Sequence, residues 1–321
     1  MLLVDEQLAP LRALQVRETK QPDFDAFWAE TVAQATATPL QAALQPLAYP
    51  LPGMHVLDLS FAGLDGTPIL GWLLLPTAAC GPVPVVVCYH GAGGSRGEPA
   101  HFAHWLLAGC AVLTMDFRMQ NGLTGSHTGF ASHQSPGWMN MGLLDKRDFY
   151  FYHTWTDALR LLQVAFQRPE LDPARVAVEG GSQGGGAALA MAALEPRVAL
   201  CMADVPSMCR LEKRVFDRSG GAKHIAEVLR DHPEFVEQVC TTLSYFDNLN
   251  LAARIRCPVL VSCGLKDPVC PPDTIFAAYN KITAEKEMVP YPFGEHGGGG
   301  TAHLRRKLAF LTARFGLPLT H

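Results

Sequence analysis

Short apolar runs alternate along the chain with longer stretches in which apolar and polar residues follow helical spacing. The runs at 83–89 and 111–115 are almost wholly apolar, which is typical of strands buried on both faces of a sheet. Further strands are predicted at 55–61, 68–75, 175–179, 198–204, 258–263 and 286–291. Helices are predicted at 23–36, 101–107, 152–166, 187–194, 274–282 and 301–315. This alternation predicts an α/β fold with a mostly parallel central sheet and helices on both faces.

The same pattern predicts a single domain over residues 1–321. An N-terminal helical extension occupies about 1–50, and insertions lie near 119–149 and 207–250. The first insertion is irregular and rich in Gly, Ser, His and Asn, and long loops of this kind are often functional. Asp65-Gly66, between the first two strands, is a hairpin signal.

Composition and charge argue against several classes of function. Of 321 residues, 48% are hydrophobic and 17% charged, and the net charge of −4 gives no basic footprint for nucleic acid or an anionic membrane. Asp5 and Glu6 interrupt the start of the chain, so we expect no signal peptide, and the apolar runs are too short for a membrane span. Nine scattered cysteines without a CxxC pair favour a reduced, cytoplasmic protein without a metal site.

The segment Gly180–Gly184 carries the strongest chemical signal. It reads GGSQG, a GxSxG match, and it lies between a predicted strand and a predicted helix. A serine at such a turn is exposed at a helix N-terminus, where backbone amides favour negative charge. A dinucleotide or phosphate loop would need GxGxxG or a GK[ST] ending, and neither is present. Ser182 is therefore the predicted nucleophile.

A nucleophilic serine needs a general base, and the base needs an orienting carboxylate. In strand–turn–helix hydrolases the acid and then the histidine follow the serine in the chain. Asp267 follows the predicted strand 258–263, and His296 precedes a run of glycines after strand 286–291. Asp204 and Asp247 remain as alternative acids. The other histidines precede the serine or fall in the second insertion, the last helix or the chain terminus.

Acyl transfer also needs backbone N–H groups that receive the charge of the tetrahedral intermediate. The residue after the nucleophile, Gln183, supplies one predicted donor. The loop Tyr89–Gly94, which reads YHGAGG, follows an apolar strand and resembles an HGG-type oxyanion loop. The N–H of Ala92 is the predicted second donor.

These segments together resemble the acetyl xylan esterase and cephalosporin-C deacetylase family of α/β-hydrolases. The elbow GGSQGGG and the acid loop GLKDPVCPPDTIFAAYN are similar to that family, as are FYFYHTWTDALRLL and DHPEFVEQVCTTLSYFDNLNLAARIRCPVL. The resemblance implies an α/β-hydrolase fold and deacetylation of small esters, including acetylated xylose oligomers and cephalosporin C. It implies no metal or cofactor, and a hexameric ring. It also implies the roles already assigned to Ser182, His296, Asp267, Gln183 and Ala92.

The sequence departs from the family at three places. Met119 stands where the family has the glycine of an Arg-Gly-Gln motif, and methionine would be strained there if the backbone had a positive φ. Gly297, rather than glutamate, follows the histidine, and Glu295 precedes it. Ala92 occupies a position where an aromatic residue is common. These departures leave the triad in place and bear on substrate preference.

The leading hypothesis is therefore a carbohydrate esterase that hydrolyses short acyl esters of small acetylated saccharides. A serine hydrolase of different acyl or peptide specificity on the same triad is the alternative. A binding protein without catalysis is disfavoured because the triad and both oxyanion segments are present, and a metalloenzyme because no ligand motif occurs. Phe130, Trp138 and Phe149 are candidates to line the pocket, although packing in the core would also explain them.

Overall fold

Nine strands form one sheet within residues 2–132 and 137–318, the part of the chain that this computed structural model describes. In chain order they are β1 (Ala43–Leu47), β2 (Met54–Ala62), β3 (Pro68–Pro76), β4 (Val83–Tyr89), β5 (Ala111–Met115), β6 (Leu171–Gly181), β7 (Leu200–Asp204), β8 (Val259–Gly264) and β9 (Lys286–Tyr291). Their spatial order is β1-β2-β3-β5-β4-β6-β7-β8-β9. The strands from β5 across to β9 are parallel, whereas β1, β2 and β3 pair antiparallel and β3 joins β5 antiparallel. The predicted mostly parallel sheet is confirmed.

Helices cover both faces of this sheet. They are α1 (Leu2–Arg12), α2 (Phe24–Ala37), α3 (Ala103–Leu107), α4 (Tyr150–Gln167), α5 (Gln183–Leu194), α6 (Leu211–Phe216), α7 (Ala222–Asp231), α8 (Val236–Ser244), α9 (Asn248–Leu251), α10 (Pro272–Tyr279) and α11 (Gly300–Phe315). Successive residues of β4 pack into two different hydrophobic cores, one on each face of the sheet. Val87 belongs to the core that includes Trp155 of α4, whereas Val86 belongs to the core that includes Leu311 of α11. Burial on both faces explains why β4 is apolar at nearly every position.

The structure corrects the sequence-based description of the N-terminal segment. Residues Ala43–Leu47 form the edge strand β1, which pairs with β2, rather than part of a helical extension. Most of β1 is exposed, so it lacks the alternation of apolar and polar residues that marks a half-buried strand. The strand predicted at 175–179 also begins earlier, at Leu171.

The two insertions differ in structure. The described part of 119–149 is irregular apart from a short 3₁₀ turn at Trp138–Asn140. The second insertion is helical: 207–250 contains α6 to α8 and most of α9, which ends at Leu251. His133 and His321, both discounted as bases from the sequence, lie outside the described residues. The carboxyl ends of the parallel strands meet at one edge of the sheet, where open α/β sheets bind their ligands.

Candidate active site

Ser182 stands between the end of β6 and the start of α5. Its backbone angles are φ 57° and ψ −117°, a strained conformation for a residue with a side chain. Its N–H donates to the Asp204 carbonyl at 2.9 Å, and its carbonyl accepts the Gly186 N–H at 2.9 Å. A Cβ at Gly184 would lie 1.9 Å from the Tyr89 carbonyl oxygen. Glycine is therefore needed for α5 to approach β4, and this approach sets the turn that presents the serine.

The side chains of Ser182, His296 and Asp267 form a continuous line. His296 Nε2 lies 2.9 Å from Ser182 Oγ, and His296 Nδ1 lies 2.8 Å from Asp267 Oδ2. Asp267 is only 3% exposed, and its Oδ1 accepts the N–H groups of Val269 at 2.8 Å and Cys270 at 2.9 Å. Because its own loop fixes the carboxylate, Asp267 holds the imidazole in one orientation toward the serine.

The loop that carries His296 depends on glycine. Gly299 has a φ of +88°, and a Cβ there would lie 2.0 Å from Cζ of Tyr291. Glu295 is exposed, and its backbone carbonyl would lie 2.2 Å from a Cβ on Gly264. The close passage of this loop over the ends of β8 and β9 brings the histidine back to the serine.

The two alternative acids are engaged elsewhere. Asp204 Oδ1 lies 3.0 Å from His303 Nε2, and its Oδ2 lies 2.7 Å from Lys307 Nζ. Burial acts to raise the pKa of Asp204, but the nearby His303 and Lys307 outweigh it and lower that pKa. Asp247 caps the start of α9 and accepts the Arg210 N–H at 2.7 Å. Neither carboxylate orients the histidine beside the serine.

The two residues predicted to form an oxyanion hole border the same cavity as the serine. Ala92, in the loop after β4, and Gln183, the first residue of α5, both line the cavity that contains Ser182. The N-terminus of a helix has free backbone N–H groups that favour negative charge. Ala92 and Gln183 are therefore candidates for the donors of an oxyanion hole.

His90 fixes the loop that carries Ala92. Its Nε2 accepts the N–H of Phe117 at 2.9 Å, which leaves its Nδ1, 2.7 Å from the Gly91 carbonyl, to donate. Burial lowers the pKa of His90, which favours this neutral ring. His90 therefore connects this loop to the segment that follows β5, and its role is structural.

Gln120 joins the Ala92 loop to the elbow. Its Oε1 accepts the Gly93 N–H at 2.7 Å. Its Nε2 donates to the Tyr150 hydroxyl at 2.9 Å and to Oε1 of Gln183 at 3.2 Å. One side chain thus contacts both segments that are expected to hold an oxyanion.

The neighbours of Gln120 anchor it to the core. Arg118 donates from Nε and Nη2 to the buried Asp157 carboxylate at 2.8 and 2.9 Å, and from Nη1 to Asp65 at 2.8 Å. Met119, which lies between Arg118 and Gln120 in the chain, has a φ of +61°. The backbone strain expected for methionine at this position is therefore present. The Met119 side chain is 40% exposed and does not belong to the hydrophobic core.

A cavity of about 160 Å³ opens beside the serine. Its surface is mostly apolar, and it is lined by Ala92, Gly137, Trp138, Met139, Phe151, Ser182, Gln183, Ser207, Arg214, Gly221, His224 and Val269. Trp138, one of the aromatic candidates, is therefore at the site. Phe149 instead packs against Phe246 at a ring separation of 5.2 Å, and Phe130 is buried.

Comparison with known proteins identifies the family. The family model of acetyl xylan esterases (AXE1) matches residues 1–314. The chain belongs to the acetyl xylan esterase family. Its members are carboxylic-ester hydrolases, and the α/β-hydrolase fold expected from the resemblance is confirmed.

Solved acetyl xylan esterases have the same fold over nearly their whole length. The acetyl xylan esterase from Paenibacillus sp. R4 is 38% identical with a TM-score of 0.91, covering 95% of this chain and 99% of that one. Acetyl xylan esterase 1 from Thermoanaerobacterium sp. JW/SL YS485 is 32% identical with a TM-score of 0.88, covering 95% and 98%. The acetyl esterase Axe7A of Xylanibacter ruminicola is 32% identical over 288 residues, which are 87% of this chain. That match spans 64% of the length of Axe7A.

Within this acetyl xylan esterase family member, several site residues could not be identified from the sequence. Gln120 carried a weak signal, because it is the last residue of the altered Arg-Gly-Gln motif. Ser207 and Arg214 carried none, because they lie in a polar helical insertion where such residues usually face solvent. Across the described residues no group of three or more His, Cys, Asp or Glu side chains could hold a metal ion, and no helix is long and apolar enough to span a bilayer.

Proposed function

We propose that this protein is a serine esterase that hydrolyses short acyl esters, chiefly acetyl esters, of small saccharides. Ser182 is the nucleophile, His296 the general base, and Asp267 the acid that orients it. The N–H groups of Gln183 and Ala92 receive the oxyanion. The observation that carries the proposal is the line of 2.9 and 2.8 Å contacts from Ser182 through His296 to Asp267, at the edge of a small, mostly apolar cavity.

The geometry suits a two-step acyl transfer. As Ser182 Oγ attacks the acetyl carbonyl, its proton passes to Nε2 of His296, and Asp267 stabilises the imidazolium that forms. His296 then donates this proton to the sugar oxygen as the sugar departs. Ser182 remains acetylated. Water attacks this ester with His296 again as base, and acetate departs. The start of α5 favours the negative charge of each tetrahedral intermediate.

The size of the cavity supports a short acyl group. A volume of about 160 Å³ holds an acetyl group with part of a small leaving group and leaves little room for a long chain. The names of the solved relatives agree with acetyl as the acyl group. We propose acetylated xylose oligomers as substrates, with cephalosporin C as a further small acetyl ester.

The test is acetate release from acetylated xylose oligomers, cephalosporin C and 4-nitrophenyl acetate by the wild type and Ser182→Ala. We expect kcat to fall by about 10⁶ in the variant. 4-Nitrophenyl butyrate should react more slowly than the acetate, and the octanoate most slowly. A pre-steady-state burst of 4-nitrophenol equal to the enzyme concentration would report the acetyl-enzyme wherever its hydrolysis is the slow step.

Ser60→Ala, on β2 and outside the cavity, is the matched control and should keep wild-type rates. Equal acetate release by the wild type and Ser182→Ala would contradict the serine mechanism. A preference for octanoate over acetate would contradict the short-acyl assignment while leaving the triad in place.

We propose further that the protein is cytoplasmic, as its cysteine usage indicated, and hexameric, as the family resemblance implied. All nine cysteines are unpaired, which suits a reducing compartment. Light scattering on the purified protein should give about six times the chain mass of 34.8 kDa. A monomeric mass across the working concentration range would contradict the hexamer.

A further inference from the structure

The wall of the cavity beside Ser182 contains a buried cation. Arg214, on α6, borders this cavity and is only 3% exposed. Its Nη2 donates to the Val269 carbonyl at 2.9 Å, in the loop that also carries Asp267. Arg214 therefore belongs to the lining of the site and not to the solvated surface of the insertion.

Two of its three guanidinium nitrogens lack partners. Nε and Nη1 are buried and form no hydrogen bond with any described residue, and no described carboxylate pairs with the group. The other fully buried arginines differ. Arg118 donates to Asp157 and Asp65, and Arg160 donates to the carbonyls of Ala62, Ala35, Thr38 and Pro39. A buried charge without a counter-charge is strongly destabilising unless something else satisfies it.

The charge pattern of the cavity points to an anion. The chain carries a net charge of −4, yet the lining includes Arg214 and His224 and no Asp or Glu. Glu227 lies outside this lining and pairs with His224 and Arg218, each at 3.3 Å. An anionic group entering the cavity would therefore meet the Arg214 cation, with no carboxylate among the described lining residues.

Arg214 and Ser182 line the same cavity of about 160 Å³. Burial raises the pKa of the Cys270 thiol, in the loop that carries Asp267, and both Arg214 and Ser182 act to lower it. The resulting pKa of about 11 keeps this thiol protonated, so it does not serve as the counter-ion. The unpaired guanidinium is thus positioned within reach of a substrate bound at Ser182.

We propose that Arg214 is a substrate-binding residue that pairs with a carboxylate on the ester, so that the preferred substrates are acetyl esters of sugar acids. The inference rests on the proposed esterase function and names its substrate class. An incoming carboxylate would accept hydrogen bonds from the unpartnered N–H groups, and charge-assisted bonds of this kind are the strong ones. A neutral acetylated sugar would leave them unpaired.

The test compares two esters that differ only in charge: a methyl O-acetyl-glucuronoside and its carboxamide. The readout is the ratio of their kcat/KM values for acetate release. We expect the wild type to favour the carboxylate at least tenfold, and Arg214→Gln to lower this ratio about ten- to hundredfold, as expected for loss of a bond between charged groups. Arg214→Lys should keep part of the preference.

Arg230→Gln is the matched control, because Arg230 is exposed and pairs with Asp231 away from the cavity. It should leave the ratio unchanged. A purely structural role for Arg214, through its bond to Val269, would lower both rates by the same factor and leave the ratio intact, which would overturn the proposal. A wild type that cleaves both esters equally would overturn it as well.

A second measurement uses the wild type alone and covers the case in which Arg214→Gln does not fold. Free glucuronate should inhibit hydrolysis of 4-nitrophenyl acetate competitively, at least tenfold more strongly than glucuronamide. Equal inhibition by the two compounds would contradict the carboxylate site. Absence of acetate release from every ester would instead contradict the proposed function, so the two failures are distinguishable.

Discussion

The N–H of Gly93 donates a 2.7 Å hydrogen bond to Oε1 of Gln120, and the same side chain donates to Oε1 of Gln183. The side-chain amide of Gln120 thus connects the two segments that are expected to hold the oxyanion. Gln120 contacts no reacting atom and acts through the positions of its neighbours.

We predict that Gln120→Ala lowers kcat for 4-nitrophenyl acetate about ten- to hundredfold with a smaller change in KM. Misplaced oxyanion donors weaken binding of the transition state more than binding of the substrate. Tyr150→Phe removes one of the three partners of Gln120 and should have a much smaller effect. A loss confined to KM would contradict the positioning role.

Asp267 and Asp204 can be distinguished as acids by matched substitutions. Asp267→Asn should lower kcat by about 10⁴, because an amide no longer holds the imidazole in the required tautomer. Asp204→Asn should change kcat far less, since Asp204 pairs with His303 and Lys307. Steady-state kinetics of the two folded variants at pH 7 measure the difference. A larger loss in Asp204→Asn would reverse the assignment.

Asp204 should matter for stability instead. Its folded-state pKa is lowered by His303 and Lys307, against the opposing effect of burial, so the ionised carboxylate stabilises the fold above the unfolded pKa of about 3.9. Asp204→Asn should cost about 2–3 kcal/mol of unfolding free energy at pH 7. The difference from wild type should shrink as the pH falls below about 4.

Urea unfolding of the wild type and Asp204→Asn between pH 7 and 3.5 measures this dependence. Asp231→Asn, on an exposed pair with Arg230, is the control and should follow the wild type. A destabilisation that stays constant down to pH 3.5 would show that the loss comes from packing and not from the charge.

Met119 offers a stabilising substitution. Its φ of +61° is unfavourable for a residue with a Cβ, and its side chain is 40% exposed, so little packing would be lost. Met119→Gly should raise the unfolding free energy by about 0.5–1 kcal/mol, after the entropic cost of glycine is subtracted. Met119→Ala keeps the strained φ and should give no gain in urea unfolding, whereas an equal gain in both would contradict strain as the cause.

The local sequence pattern was sufficient to predict those elements whose buried residues recur at a regular spacing. The apolar runs of β4 and β5 and the strand–turn–helix around Ser182 could be located from the sequence because each element carries its own signal. The edge strand β1 could not, because it is mostly exposed and owes its conformation to pairing with β2.

The same distinction holds for the site. The positions of Asp267 and His296 follow from chain order in the hydrolase template. Gln120 and Arg214 depend on contacts between residues far apart in the chain: Gln120 bonds to Gln183, and Arg214 bonds to Val269. Such pairings leave no periodic trace, and an arginine in a polar insertion is ordinarily a solvated residue.

The insertion between β7 and β8 has a consequence for protein engineering. Its helices α6 and α7 supply Arg214 and His224 to the cavity wall, whereas the serine, aspartate and histidine follow β6, β8 and β9. With the roles that we propose, reaction chemistry and substrate choice are encoded in separate stretches of the gene. A combinatorial library confined to residues 207–250 would sample new leaving groups while every clone inherited an intact set of reacting atoms.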